Sequence, residues 1–378
     1  MKKCVILFLS VIVFVICSFD SQALTEISAE AFVLMCADTK EIILSKKAEE
    51  QKSIASTTKI LTAVVAIESG RLNEIVTVGD EISGVDGTSL GLKIGDTIDL
   101  YSLVLATLLS SGNDGANAIA AFVGGSIEEF AVMMNEKARH IGMTGSFFVT
   151  PSGLDADNHY STAVDMAYLA CYAMRLPVFC EMVNMKSARI EFKNGKVLYV
   201  NNHNKLLSMY DGCIGIKTGF TKASGRCLVS AVQKDGSLLI AVTLNAPDDW
   251  NDHKKLYDYG FKTVRQYEAD CSDLPEIKVV GGEQKTIQCR LSSSLIYSAA
   301  QEISFFSTEI SVPAFVYAPI SENDVLGEVR LLADGKEFAS ALILAENSIE
   351  KPENCEEQKT FFSKIKNILA GWFVKWKN

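Results

Sequence analysis

Strand-like segments at both ends of residues 24–268 enclose a block of helical patterns, and this order restricts the fold more than any other property of the chain. Phe32 to Ala37 and Ile42 to Leu44 are apolar, with a polar Asp38-Thr39-Lys40 turn between them. Apolar residues then recur at helical spacing over 56–69, 99–110, 114–123, 127–141 and 162–174. Strand patterns return at Cys213 to Lys217, Arg226 to Val232 and Leu238 to Asn245, the last two joined by the hairpin signal Asp235-Gly236. The order predicts an antiparallel sheet closed by the two ends of this stretch, with the helices packed on it, an α/β (α+β) unit. About 245 residues are ample for a large core.

The remaining segments have other characters. Residues 272–350 read as a small β domain, with Ile310 to Val312, Ala314 to Tyr317, and a hairpin of Val325 to Leu332 and Phe338 to Leu344 around Asp334-Gly335. Residues 351–357 continue a polar stretch and read as a linker. Residues 1–23 have the form of a signal peptide: Lys2 and Lys3, an apolar run from Cys4 to Phe19, then small residues ending at Ala23. Residues 358–378 hold five lysines and no acid, with Phe361, Phe362, Ile365, Ile368, Leu369, Trp372, Phe373 and Trp376 on one helical arc. That is the pattern of an amphipathic helix lying on an anionic membrane surface. Together the ends predict an exported protein on the outer face of the cytoplasmic membrane, at the cell wall.

Charge and ligand chemistry exclude several classes. The whole chain carries −10; the leader contributes +1 and the tail +5, which leaves −16 on the body. An acidic body excludes nucleic acid as a partner. Ten cysteines include two in the leader and form no Cys-x-x-Cys. The four histidines, 140, 159, 203 and 253, have no ligand spacing, so neither a metal nor another cofactor is expected.

Ser56-Thr57-Thr58-Lys59 opens the first helical pattern. At i and i+3 a hydroxyl and an amine share a helix face. A serine becomes a nucleophile when a neighbouring base takes its proton, and a lysine kept neutral by burial is such a base. Ser111-Gly112-Asn113-Asp114 lies between two helical patterns: Ser111 can relay a proton, and Asn113 can bond a substrate amide or hold Lys59. Lys217-Thr218-Gly219 ends a predicted strand. Lys217 and Thr218 can bind a carboxylate, and Gly219 allows a ligand to approach the backbone.

Ser-x-x-Lys, Ser-x-Asn and Lys-Thr-Gly in this order form the motif set of serine penicillin-binding proteins and serine β-lactamases. The chain resembles the low-molecular-mass penicillin-binding proteins, the serine-type D-alanyl-D-alanine carboxypeptidases of the peptidase S11 family. Ala55 to Lys59, Ser111 to Asp114 and Gly215 to Thr221 match that family. Gly142-Met143, Thr150 to Asp155, His159 to Thr162, Asp165-Met166 and Asn202 to Leu207 resemble its intervening segments, and Ala246 to His253 its sporulation-associated branch. The leader, β domain and tail resemble its layout. The resemblance implies a β-lactamase/transpeptidase-like fold and a role in cell-wall biogenesis and cell shape. It also implies removal of the terminal D-alanine from peptidoglycan stem peptides through an acyl-enzyme on Ser56. Lys59 would be the base, Ser111 the proton relay, and the backbone N–H groups of Ser56 and Phe220 the oxyanion hole. Asn113, Lys217, Thr218, Gly219, Phe220 and His203 would bind substrate, and β-lactam antibiotics would acylate Ser56. Some relatives have arginine where this chain has His203, and another near Asp249, so carboxylate binding would fall to Lys217, Thr218 and His203. A serine β-lactamase and a catalytically silent cell-wall binding protein are the alternatives. The first would need a Glu-x-x-Leu-Asn loop, which the chain lacks between Asn113 and Lys217.

Overall fold

A computed structural model describes residues 27–268, 274–300, 306–333 and 336–352. The leader and the tail helix expected from the sequence lie outside these residues.

The first unit runs β1 (Ala31–Cys36), β2 (Ile42–Lys46), a 3-10 turn (Ala55–Thr58), α1 (Lys59–Glu68), β3 (Ile75–Thr77), β4 (Thr97–Asp99), α2 (Leu100–Ser110), α3 (Asn113–Gly124), α4 (Ile127–Ile141), α5 (Ala163–Ala173), α6 (Pro177–Asn184), β5 (Ser187–Glu191), β6 (Val197–Asn201), α7 (Leu206–Met209), β7 (Cys213–Thr221), β8 (Gly225–Lys234), β9 (Ser237–Leu244) and α8 (Asp249–Thr263). The central sheet has the order β2-β1-β9-β8-β7 and is antiparallel throughout. β1 joins β9, so the two ends of the unit do close the sheet. Asp235 (φ 48°) and Gly236 (φ 80°) make the β8–β9 turn, the left-handed pair that a two-residue hairpin of this hand requires.

β1 is buried along its whole length because both faces of the sheet are covered. α1, with Ile60, Leu61, Val64 and Val65 buried, packs with α2, α3 and α5 on one face. α8 covers the other, where Leu256 and Tyr257 meet Phe32, Leu34 and Leu239. Beneath α8 lies a closed polar network. Ser230 Oγ is 2.6 Å from both His253 Nδ1 and the Tyr257 hydroxyl, and Thr243 Oγ1 is 2.9 Å from His253 Nε2. Burial lowers the imidazole to about 3, so it stays neutral and serves as a satisfied core group.

The second unit contains β10 (Arg265–Glu268), β11 (Ile277–Val280), β12 (Thr286–Ile287), β13 (Cys289–Leu291), β14 (Ile296–Ala299), β15 (Phe306–Ser311), β16 (Phe315–Tyr317), β17 (Val325–Ala333) and β18 (Lys336–Ala345). A sheet β13-β18-β17-β15 and a sheet β12-β11-β16 share the core of Ile277, Leu326, Val329 and Ile343. β14 pairs with β10, which follows α8 directly, and fastens the two units together. The Ser298 N–H donates to Asp38 Oδ2 (3.0 Å), the Ala300 N–H to Glu41 Oε2 (2.9 Å), and the Ser298 hydroxyl to Ser237 Oγ (2.7 Å).

Three local readings need correction. The helix predicted from Ser56 begins with a 3-10 turn, and regular α-geometry starts at Lys59. Lys217-Thr218-Gly219 lies inside β7 and does not end it, because Phe220 and Thr221 still pair with Arg226 and Gly225. Residues 249–263, given no helical pattern by the sequence, form α8.

Asp252, on α8, is buried and accepts from the Ser28 N–H (2.9 Å), the Ser28 hydroxyl (2.7 Å) and the Ala29 N–H (3.1 Å). Its removal orphans two backbone donors at the entry to β1. Asp252→Ala is expected to cost about 2–4 kcal/mol in urea unfolding. Asp252→Asn, which keeps one acceptor oxygen, should cost less; equal stability of all three proteins refutes this anchor.

Candidate active site

The 3-10 turn Ala55–Thr58 and the middle of β7 meet at the base of α1. Ala55 holds a left-handed φ of 48°, a conformation that costs an alanine about 1 kcal/mol. Close packing enforces it. A Cβ on Gly153 (φ 79°) would stand 1.9 Å from the Ala55 carbonyl oxygen, so only glycine lets the 150–155 loop press against the turn. Gly219 has a related function. A Cβ there would lie 2.9 Å from the Ile54 oxygen and 3.1 Å from the nitrogens of Ser56 and Thr57. The sequence suggests that this glycine admits a ligand; in the fold it lines the cleft and also admits the backbone of the Ser56 turn.

Lys59 is 1 % exposed. Its Nζ lies 3.0 Å from Ser56 Oγ, 2.7 Å from Asn113 Oδ1 and 2.6 Å from the Ser152 carbonyl oxygen. These three oxygens orient the amine: an unprotonated Nζ can donate to the amide and the carbonyl and turn its lone pair to the Ser56 hydroxyl, and none of the three carries a formal charge. Burial, and next the nearby Lys217, drive its pKa well below 10.5, against the weaker opposing pull of Asp114. An amine whose proton affinity is lowered in this way, 3.0 Å from a hydroxyl, has the geometry that a general base requires.

Asn113, the first residue of α3, has both ends of its amide engaged: Oδ1 receives Lys59 and Nδ2 donates to the Asp86 carbonyl (2.7 Å). That favours holding Lys59 over bonding a substrate amide. Asp114 accepts from the Ser89 hydroxyl and the N–H groups of Leu90 and Leu92, which fixes the loop beside the site. Ser111 caps α2 at φ 60° and reaches the cleft. Lys217 is 1 % exposed, with its pKa lowered to about 7 by burial, and donates to the Thr218 carbonyl (3.1 Å).

A cleft of about 330 Å³ opens over Ser56, lined also by Ser111, His203, Thr218, Gly219 and Phe220. Of the sequence candidates, Lys59, Asn113 and Lys217 lie below its floor. Its outer wall contains side chains that the sequence reading did not select: Thr88, Lys205, Arg226, Asp249 and Trp250. The Ser152 carbonyl was also missed as a ligand of Lys59, although its segment had been noted. Among the described residues no cluster of His, Cys, Asp or Glu could hold a metal ion.

Fold and site together have the form of a serine acyl-transfer enzyme, with a lysine amine against the serine hydroxyl where others place a histidine. The model of the D-alanyl-D-alanine carboxypeptidase family, peptidase S11, matches residues 18–248, and the chain belongs to that family. It is 27 % identical over 370 residues to the D-alanyl-D-alanine carboxypeptidase DacF of Bacillus subtilis, covering 93 % of this chain and 92 % of the relative. Among solved structures it is similar to penicillin-binding protein 5 of Haemophilus influenzae, with a TM-score of 0.62 and 25 % identity over 86 % of this chain and 98 % of that one. It is also similar to the Streptomyces K15 DD-transpeptidase, with a TM-score of 0.60 and 29 % identity over 62 % of this chain and 98 % of that one.

Lys217 gives the site a pH signature. Between about 7 and 10.5 the unfolded chain holds a proton on this amine that the folded protein lacks. Stability therefore rises with pH across that window, and the contribution is least favourable below pH 7. Relative to Lys217→Met, the wild type should gain up to about 1.4 kcal/mol per pH unit in urea unfolding. Parallel pH dependences of the two proteins would count against a neutral buried Lys217.

Proposed function

We propose that the chain is a serine-type D-alanyl-D-alanine carboxypeptidase that removes the terminal D-alanine from peptidoglycan stem peptides and is acylated by β-lactams. The observation that carries this reading is the 3.0 Å contact between Ser56 Oγ and a Lys59 amine whose pKa burial drives well below the usual lysine value. Family membership supports the substrate class.

Ser56 Oγ attacks the carbonyl between the two alanines as Lys59 Nζ takes its proton. The electron pair displaced onto the carbonyl oxygen is met by the backbone N–H groups of Ser56 and Phe220; loss of one such donor typically costs about 3–4 kcal/mol. Collapse of the tetrahedral adduct expels the D-alanine amine, which takes a proton through Ser111 from Lys59. Water then attacks the ester as Lys59 takes one of its protons; the acyl–Oγ bond breaks, Lys59 returns that proton to Ser56 Oγ, and the shortened peptide leaves with its new carboxylate. Asn113 and the Ser152 carbonyl keep Lys59 aimed throughout. Thr218 and His203 line the wall against which the substrate's end lies, with Lys217 buried behind it. Asp249, the one carboxylate among the described residues lining the cleft, is bound to Arg226, which leaves it poorly placed as the fast deacylating base of a β-lactamase.

Wild-type protein is expected to release D-alanine from diacetyl-Lys-D-Ala-D-Ala and to take up a fluorescent penicillin. Ser56→Ala should lose both by at least about 1,000-fold with unchanged thermal unfolding. Labelling of Ser56→Ala at the wild-type level would sink the assignment.

The location is inferred from the ends. Residues 1–23 export the protein, and residues 358–378 hold it on the outer membrane surface through their aromatic arc and lysines. Protein ending at residue 352 should keep D-alanine release but no longer sediment with anionic phospholipid vesicles. Equal sedimentation of both forms would remove the anchor from the tail.

A further inference from the structure

We propose that Arg226 anchors the substrate's terminal carboxylate. The inference rests on the carboxypeptidase reading above and assigns its specificity for a free C-terminus to a residue of β8. Arg226 stands opposite Phe220 in the β7–β8 ladder, two pairs beyond Thr218 and Leu228. Thr218 and Phe220 share one face of β7, and directly opposed residues of an antiparallel pair share a face as well. The backbone of Arg226 therefore lies about 7 Å along the strand from the Thr218 pair, within reach of a long side chain. It lines the same cleft as Ser56 and Thr218.

Its orientation is fixed by its neighbours. Nε and Nη2 donate to Asp249 Oδ1 at 3.1 and 2.7 Å, and Nη2 also to Oδ2 at 2.9 Å. The guanidinium carbon lies 5.6 Å from the centre of the Trp250 ring. Asp249 is 2 % exposed, whereas the Arg226 side chain is 42 % exposed. The buried carboxylate thus occupies one edge of the fork, and Nη1, without a protein partner among the described residues, keeps both donors for a ligand. An arginine clamped in this way loses little conformational freedom on binding a carboxylate.

The other cations of the wall are poorer candidates. Lys217 is buried, and its pKa of about 7 leaves it only partly charged at neutral pH. Burial and the neighbouring Lys217 lower His203 below its ordinary 6.5, so it is neutral there. Lys205 is exposed and has no fixed partner among the described residues. A guanidinium does not titrate in this range, so Arg226 supplies a charge that does not depend on the protonation of Lys59 or Lys217.

Steady-state D-alanine release from diacetyl-Lys-D-Ala-D-Ala, release of D-alaninamide from its C-terminal amide, and the rate of fluorescent-penicillin labelling test the assignment. Arg226→Gln should raise KM for the acid about tenfold with kcat changed less than about threefold, as expected for a lost charge-assisted bond. It should slow labelling by a similar factor and change the amide less than about twofold. Arg226→Lys, which keeps charge without the fork, should fall between. A wild-type KM in Arg226→Gln, or equal losses on acid and amide, overturns the inference and leaves the carboxypeptidase standing. A wild type that neither releases D-alanine nor takes up penicillin overturns both.

Discussion

Three uncharged oxygens around one buried amine, those of Ser56, Asn113 and Ser152, set the terms for the rest of the catalytic unit. An ammonium at this depth would need a carboxylate, and a carboxylate would keep it protonated. The fold supplies instead a hydroxyl, an amide and a backbone carbonyl, which hold the amine in place while favouring its charged form far less than a carboxylate would. Asp114 is close enough to oppose the effect, but its oxygens are committed to the Ser89 hydroxyl and the backbone of Leu90 and Leu92. Lys217 adds to the effect from the facing strand.

Those contacts come from widely separated parts of the chain, and two glycines let the parts meet. Gly153 brings the Ser152 carbonyl over Lys59 while pressing on Ala55. Gly219 brings β7 within van der Waals distance of the turn that presents Ser56. The strained φ of Ala55 follows from this double approach. Ser56, Lys59 and β7 are therefore held by backbone packing, and side-chain freedom contributes little to the geometry.

How much of this was legible depended on whether the signal was local. Ser56 and Lys59 were readable because their relation is set by helix pitch. The order strands, helices, strands was readable because each element has its own period. The Ser152 carbonyl was not, because every residue offers a carbonyl and only the tertiary path selects one. The Arg226–Asp249 pair spans 23 positions and becomes visible only once the β7–β8 register is known. α8 was missed because its inward positions include His253 and Gly260 beside Leu256 and Tyr257, which dilutes the apolar period. The β5–β6 hairpin was missed for a similar reason: Ile190 and Val200 are the single fully buried residues of their strands.

The pairing of β1 with β9 also orders events during synthesis. Ala31 lies opposite Leu244, so one of the first strands made waits for almost the last strand of the unit before it has its inner neighbour. β7, which completes the wall of the cleft, emerges only shortly before. A nascent chain thus carries Ser56 long before it has the strand that positions the serine or the closed sheet that dehydrates Lys59. Catalytic competence arrives late and all at once, as a property of the finished sheet.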